Sequence, residues 1–417
     1  MLIFEKYFHL IVLYMALMKQ FFMSHQQPLY RVHEVSGLGI SMGYEEMFPA
    51  MDSRWHGNAA KRFASPFVDN PHDRIDVDPI ILSNAAVSCG YTIRDFYEKP
   101  ELGIHCVGYI SQLFDLLPVT HWFFSLPWVT ELGLTLQYKE TLPPISTGPI
   151  YSDPEDVDKV RVPSKEELIN WKGTHATVPL FYRLYDYVAK NLPMTLVPIS
   201  YGFDLVGAAA ELVGVENFIM WTFTEPEAAD KLVDKYTQTA INGAEALADK
   251  YGMAMLIVGS VLANNDIFSD DGVERYSVKN MYKFVDGCFK RGAGPQIFYH
   301  LCGNHQTDYK LFKDGLMWSP FTVIHAGYSG RNPFPSGLLK ETFADKATCM
   351  GSVDTKLMID NNPNKVYNQA KEQLLQGRDS RKGYILGTSC ETPPYTHPGQ
   401  MLALVKAARD FGTYGTW

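Results

Sequence analysis

From about Ile75 onward, short runs of β-branched and other apolar residues alternate with longer stretches in which apolar positions recur every three or four residues. The first pattern predicts strands, and the second predicts amphipathic helices that cover them. Strands are expected over Ile75–Leu82, Met194–Ser200, Met253–Ser260, Gln296–Cys302, Phe321–Ala326, Ala347–Val353 and Gly383–Cys390, with an eighth within Trp122–Gln137. Ala228, Leu232, Tyr236, Ala240, Ala244 and Leu247 mark the apolar face of a helix over Glu225–Lys250. This βαβα rhythm implies a parallel sheet, and seven or eight units favour a closed α/β barrel of the TIM (β/α)8 type over an open sheet. No GxGxxG or Walker-type glycine run follows the first strand, so a nucleotide-binding open sheet loses its usual support.

Two segments break the rhythm. Residues 1–72 read as an N-terminal extension and cap, because 24–72 are rich in His, Met, Gly and aromatics without clear periodicity. The apolar stretch Phe8–Met18 is too short to span a bilayer, which takes ~20 residues, and no small-residue cleavage site follows it. Met23, opening the polar MSHQQ, is an alternative start. The barrel is assigned to 73–417, with an insertion around 141–193, where prolines 143, 144, 149, 154 and 163 accompany the charged DPEDVDKVRVPSKEE.

Composition narrows the function classes. With 46% hydrophobic and 20% charged residues among 417, the chain has material for a large core. Its 46 acidic and 37 basic residues give a net charge of −9 without a basic stripe, so nucleic acid is a poor partner, and no membrane association is expected. Six cysteines scattered from Cys89 to Cys390 suit reduced thiols in a cytoplasmic protein better than a disulfide framework.

Chemistry concentrates at two strand ends. In Gln296-Ile-Phe-Tyr-His300-Leu-Cys302-Gly-Asn-His305, the two-residue period puts His300 and Cys302 on one face. Gly383-Tyr-Ile-Leu-Gly-Thr-Ser-Cys390 likewise ends in a Cys before a Pro-containing loop, and neighbouring barrel strands would bring the two ends together. Imidazole and two thiolates suit zinc with one open position, but for a His-x-Cys pair alone inert core cysteines are the commoner outcome. Asp204 and Asp266 follow strands where barrel enzymes place acid–base groups, with surface solvation as the alternative for each. His305 and His325 also lie near strand ends, where a satisfied structural histidine is the commoner outcome.

YHLCGN near residue 300, Met350-Gly-Ser-Val-Asp354 and Cys390-Glu-Thr-Pro-Pro-Tyr-Thr396 together resemble the uroporphyrinogen decarboxylase-like superfamily over roughly 72–417. The arginine-rich R-Q-A-G-R motif of the metal-free decarboxylases is not found here. The resemblance therefore points to the zinc-dependent methyltransferase branch, with His300, Cys302 and Cys390 as zinc ligands. It implies methyl transfer between a small-molecule heteroatom and a corrinoid (cobalamin) held by a partner protein, and the chain has no D-x-H-x-x-G stretch to hold cobalt itself. Trp122, Phe123, Phe124, Trp128, Tyr201 and Phe203 suggest an aromatic mouth and an aryl methyl ether substrate, hence O-demethylation, with core packing the commoner outcome for any single ring. A methylcobamide:thiol transferase of the coenzyme M type, a metal-independent decarboxylase and a non-catalytic zinc or porphyrinoid-binding module are the alternatives.

Overall fold

The computed structural model describes residues 61, 62, 65, 72–116, 122, 126–173, 176–191, 199–252 and 254–416. The chain divides into Met1–Ala50, which lies outside the described residues, and Met51–Trp417. The expected cap at 1–72 falls outside them too, apart from residues 61, 62, 65 and 72.

The strands are β1 (Asp76–Asp78), β2 (Leu136–Gln137), β3 (Ile145–Ser146), β4 (Ile199–Gly202), β5 (Met255–Ser260), β6 (Ile297–Asn304), β7 (Thr322–Ser329), β8 (Asn332–Pro333), β9 (Thr348–Val353) and β10 (Tyr384–Thr388). Seven of them form a parallel array in the order β1-β10-β9-β7-β6-β5-β4, with β8 turning back on β7, and helices separate successive strands. This is the α/β architecture expected of the barrel. The eighth strand is not found in the described part of Trp122–Gln137. Residues 127–133 are turns, with Trp128 at φ 64°, and β2 pairs antiparallel with β3 in a separate ribbon. Pro127 and Gly133 punctuate the segment, and the Glu131 carboxylate accepts from the Val178 N–H, so side-chain bonds replace a ladder there. Residues 117–121 and 123–125 lie outside the described residues.

The helix Pro226–Tyr251 presents Leu232, Tyr236, Ala240, Ala244 and Leu247 to the core, each at most 1% exposed, as its periodicity predicts. Among the described residues no single helix is long and apolar enough to cross a membrane.

The end of the array opposite the candidate site is closed by ion pairs. Asp115, the C-cap of the helix Pro100–Phe114 at φ 56°, accepts from Arg62 and Arg74, both at 3.0 Å, and those side chains are 3% and 4% exposed. Burial opposes its charge, but Arg74 and Arg62 hold Asp115 below the usual carboxylate range. A depressed carboxylate contributes stability above its unfolded pKa that is lost as pH falls through the folded one. Asp115→Ala leaves two buried guanidiniums short of an anion and is expected to cost about 3 kcal/mol at pH 7. Urea unfolding measures the loss. A change under about 0.5 kcal/mol, the size of an ordinary surface substitution, would show the cluster to be incidental.

Candidate metal centre

The parallel register sets the site. Gly259, His300 and His325 are aligned across β5, β6 and β7, and period-2 alternation turns their side chains to one face. Gly259 matters for its lack of a side chain, because a Cβ there would stand 2.9 Å from the Phe203 ring. That ring instead lies stacked against His300, centroids 5.8 Å apart. Just past His300 the β6–β7 register shifts between Leu301 and Asn304, an irregularity of the kind that re-aims side chains beside active sites. Gly303 takes φ 86° there, and a Cβ would meet the Asn264 amide at 2.8 Å. The Cys302 carbonyl accepts from His305 Nε2 at 3.0 Å, while Asp308 faces Nδ1 of the same buried ring.

Cys390 follows β10. Contrary to expectation, β10 and β6 are not neighbours, since β9 and β7 lie between them. The thiols meet because Gly327 on β7 leaves the Ser389 carbonyl room to lie against it, where a Cβ would be 2.5 Å away. Hydrogen bonds hold that loop: Ser389 N–H to Val353 O at 2.7 Å, Ser389 Oγ to Tyr328 OH at 2.7 Å, and Thr392 N–H to Ile80 O at 3.1 Å. Asn84 donates to the carbonyls of Pro393 and Pro394, and Ser83 donates to Glu391.

As a result, the donor atoms of His300, Cys302 and Cys390 lie within 4.8 Å of one another, with the two sulfurs 3.6 Å apart. Two thiolates ~2.3 Å from one zinc ion at the tetrahedral angle stand ~3.8 Å apart, so these residues fit that ion. The sulfurs lie within hydrogen-bonding distance, and either can donate. The contact between the two thiols lowers Cys390 well below its ordinary range and pushes Cys302 up.

Asp204 caps the helix Leu205–Glu211 from a left-handed conformation at φ 40° and is 7% exposed. Its Oδ2 accepts from the Leu262 N–H at 3.1 Å, while Oδ1 has no partner. Burial pushes this carboxyl up to about 6. Its charge is a minor influence among those that push the Cys302 thiol up. Asp266 differs. It is exposed in the loop after β5, with the Asn304 amide donating to it at 2.9 Å.

Two rings of the proposed aromatic mouth are core. Trp122 and Trp128 are 0% and 1% exposed and pack on Phe181, and Trp122 donates to the Phe96 carbonyl. Phe123 and Phe124 lie outside the described residues, as does the Tyr201 side chain, so Phe203 is the member placed at the cluster. Sequence reasoning passed over Glu391, whose carboxyl burial pushes up to about 7, although it adjoins Cys390 in the quoted motif. His325, expected as a satisfied structural histidine, is fully buried and hydrogen-bonded, and its Nδ1 lies 2.6 Å from that of His300.

Known proteins align with this chain along much of its length. A methylated-thiol–coenzyme M methyltransferase of Methanosarcina mazei is 25% identical over 284 residues, which are 67% of this chain and 68% of the relative. The methylcobamide:CoM methyltransferase MtaA of Methanosarcina barkeri is 23% identical over 220 residues, 51% of this chain and 58% of that protein. A solved methyltransferase from Methanosarcina mazei superposes with a TM-score of 0.67 at 18% identity, covering 85% of this chain and 99% of the other, a likeness that speaks for the fold. The sequence pattern of the uroporphyrinogen decarboxylase (URO-D) family matches residues 59–411, and this chain belongs to that family.

Proposed function

We propose that the chain is a zinc-dependent methyltransferase that moves a methyl group between a substrate heteroatom and a corrinoid carried by a separate protein. The observation that carries this reading is the convergence of His300, Cys302 and Cys390 within 4.8 Å at the carboxyl ends of β6 and β10, with a donor set that suits a catalytic rather than a closed structural zinc. Zinc, when bound by these residues, supplies Lewis acidity that stabilises a thiolate or phenolate as it is methylated or released.

The chain's own residues do the rest. Phe203 shields one side of His300 and offers an apolar wall to the substrate. Asp204, buried and with a free Oδ1, is the carboxylate placed to hold or give a proton, and exposed Asp266 is the weaker candidate. The names of the aligned relatives favour sulfur as the methylated atom. Aryl ether O-demethylation is the second reading, supported by the Phe203 wall.

The test is to load the protein with zinc and mix it with cob(I)alamin and a panel of methylated thiols and methoxyarenes, following methylcobalamin absorbance, with and without a corrinoid protein. Zinc-dependent transfer, faster with the carrier, is expected. Turnover unchanged by zinc removal, or decarboxylation of a porphyrinogen, overturns the proposal.

A further inference from the structure

We propose that His325 is a positioning residue that fixes the tautomer of His300, so that Nε2 of His300 is the nitrogen left free for the metal. This inference rests on the zinc reading given above. His325 and His300 approach through their Nδ1 atoms at 2.6 Å, with both side chains buried and their planes 10° apart.

Hydrogen-bond direction then follows from the far side of His325. Its Nε2 lies 2.9 Å from the Thr388 carbonyl, which can only accept. Ser352 Oγ, 3.3 Å from the same nitrogen, spends its proton on the Ala326 carbonyl and so presents a lone pair. Two separate acceptors therefore put a hydrogen on Nε2 of His325, and in the neutral ring Nδ1 is an acceptor. His300 Nδ1 must supply the proton between the rings, which leaves a lone pair on Nε2 of His300.

The opposite arrangement needs an imidazolium at His325, and among the described residues the hydrogen-bond partners of that ring include no carboxylate to balance it. Phe298 completes the stack, with centroids 6.4 Å from His300 and 6.3 Å from His325, and blocks ring rotation from that side. Thr388 joins this chain to the second strand end. Its carbonyl accepts from His325, while the single proton of its hydroxyl is divided between the Pro79 carbonyl at 2.6 Å and the Cys390 carbonyl at 2.7 Å. One residue thus orients the ring of His300 and the loop of Cys390. Outer partners of this kind set both the tautomer and the basicity of a metal-bound imidazole.

Long-range 1H–15N correlation on the 15N-histidine-labelled, full-length, metal-free protein tests the tautomers directly. His300 is expected as the Nδ1–H form and His325 as the Nε2–H form, and finding His300 in the Nε2–H form overturns the inference. Chelator competition then measures zinc affinity. His325→Leu is expected to weaken it by about 10- to 100-fold, whereas His325→Asn, whose amide oxygen can accept from His300, stays within about threefold of wild type. Equal affinities for the Leu variant and the wild type overturn the positioning role. Failure of wild type to bind zinc while the tautomers are as expected overturns the zinc reading but leaves the hydrogen-bond assignment standing.

Discussion

Cys390→Ala is expected to abolish methyl transfer while leaving a folded protein. The loss should exceed the roughly 10- to 100-fold that changes around a metal ligand cost, because the ligand itself is removed. The fold should survive, since the loop is held by bonds that do not involve the thiol: Ser389 to Val353 and Tyr328, Thr392 to Ile80, and Asn84 to Pro393 and Pro394. Zinc content by elemental analysis, turnover and thermal unfolding form the set of measurements. Collapse of cooperative unfolding along with activity would mark a structural metal, and retained turnover would remove Cys390 from the chemistry altogether. Cys349 provides the contrast, as a fully buried thiol on β9 that burial pushes up to about 12 and that belongs to no metal-ligating group among the described residues.

Seven strands and the helix Pro226–Tyr251 were legible because burial on one or both faces writes period-2 or period-3.6 patterns into a chain. His300 and Cys302 were legible for the same reason, as one period of a strand end. The place of Cys390 was foreseen through motif resemblance, yet the expected cause, adjacency of strands, was wrong. Nothing in a periodicity announces that Gly327 lacks a Cβ so that Ser389 can lie against it. Composition cannot tell an inward ring from a core ring: Trp122 and Trp128 pack on Phe181, while Phe203 lies against His300. His325 was visible as a residue but not as a partner, because its role depends on the β6–β7 register that places it opposite His300.

Asp204→Asn separates function from stability by moving them in opposite directions. The folded pKa of about 6 lies above the value near 3.8 for a free carboxyl, so this group's contribution to stability is fully present at low pH and is lost as pH rises through about 6. At pH 8 the wild type carries the whole penalty of a buried carboxylate whose Oδ1 has no partner. A displacement of about two pH units corresponds to ~3 kcal/mol. Asparagine carries no charge, tolerates the left-handed backbone that φ 40° requires, and keeps an oxygen for the Leu262 N–H. The variant is therefore expected to be more stable than wild type at pH 8, by about 1–3 kcal/mol, and close to it near pH 4. If Asp204 manages a proton during methyl transfer, the same substitution lowers kcat by about 100-fold or more and removes any inflection near pH 6 from the rate profile. A residue kept only to cap its helix predicts the reverse, a variant less stable at pH 8 with kcat unchanged. Gain of stability with loss of rate is the signature of strain held at a working site.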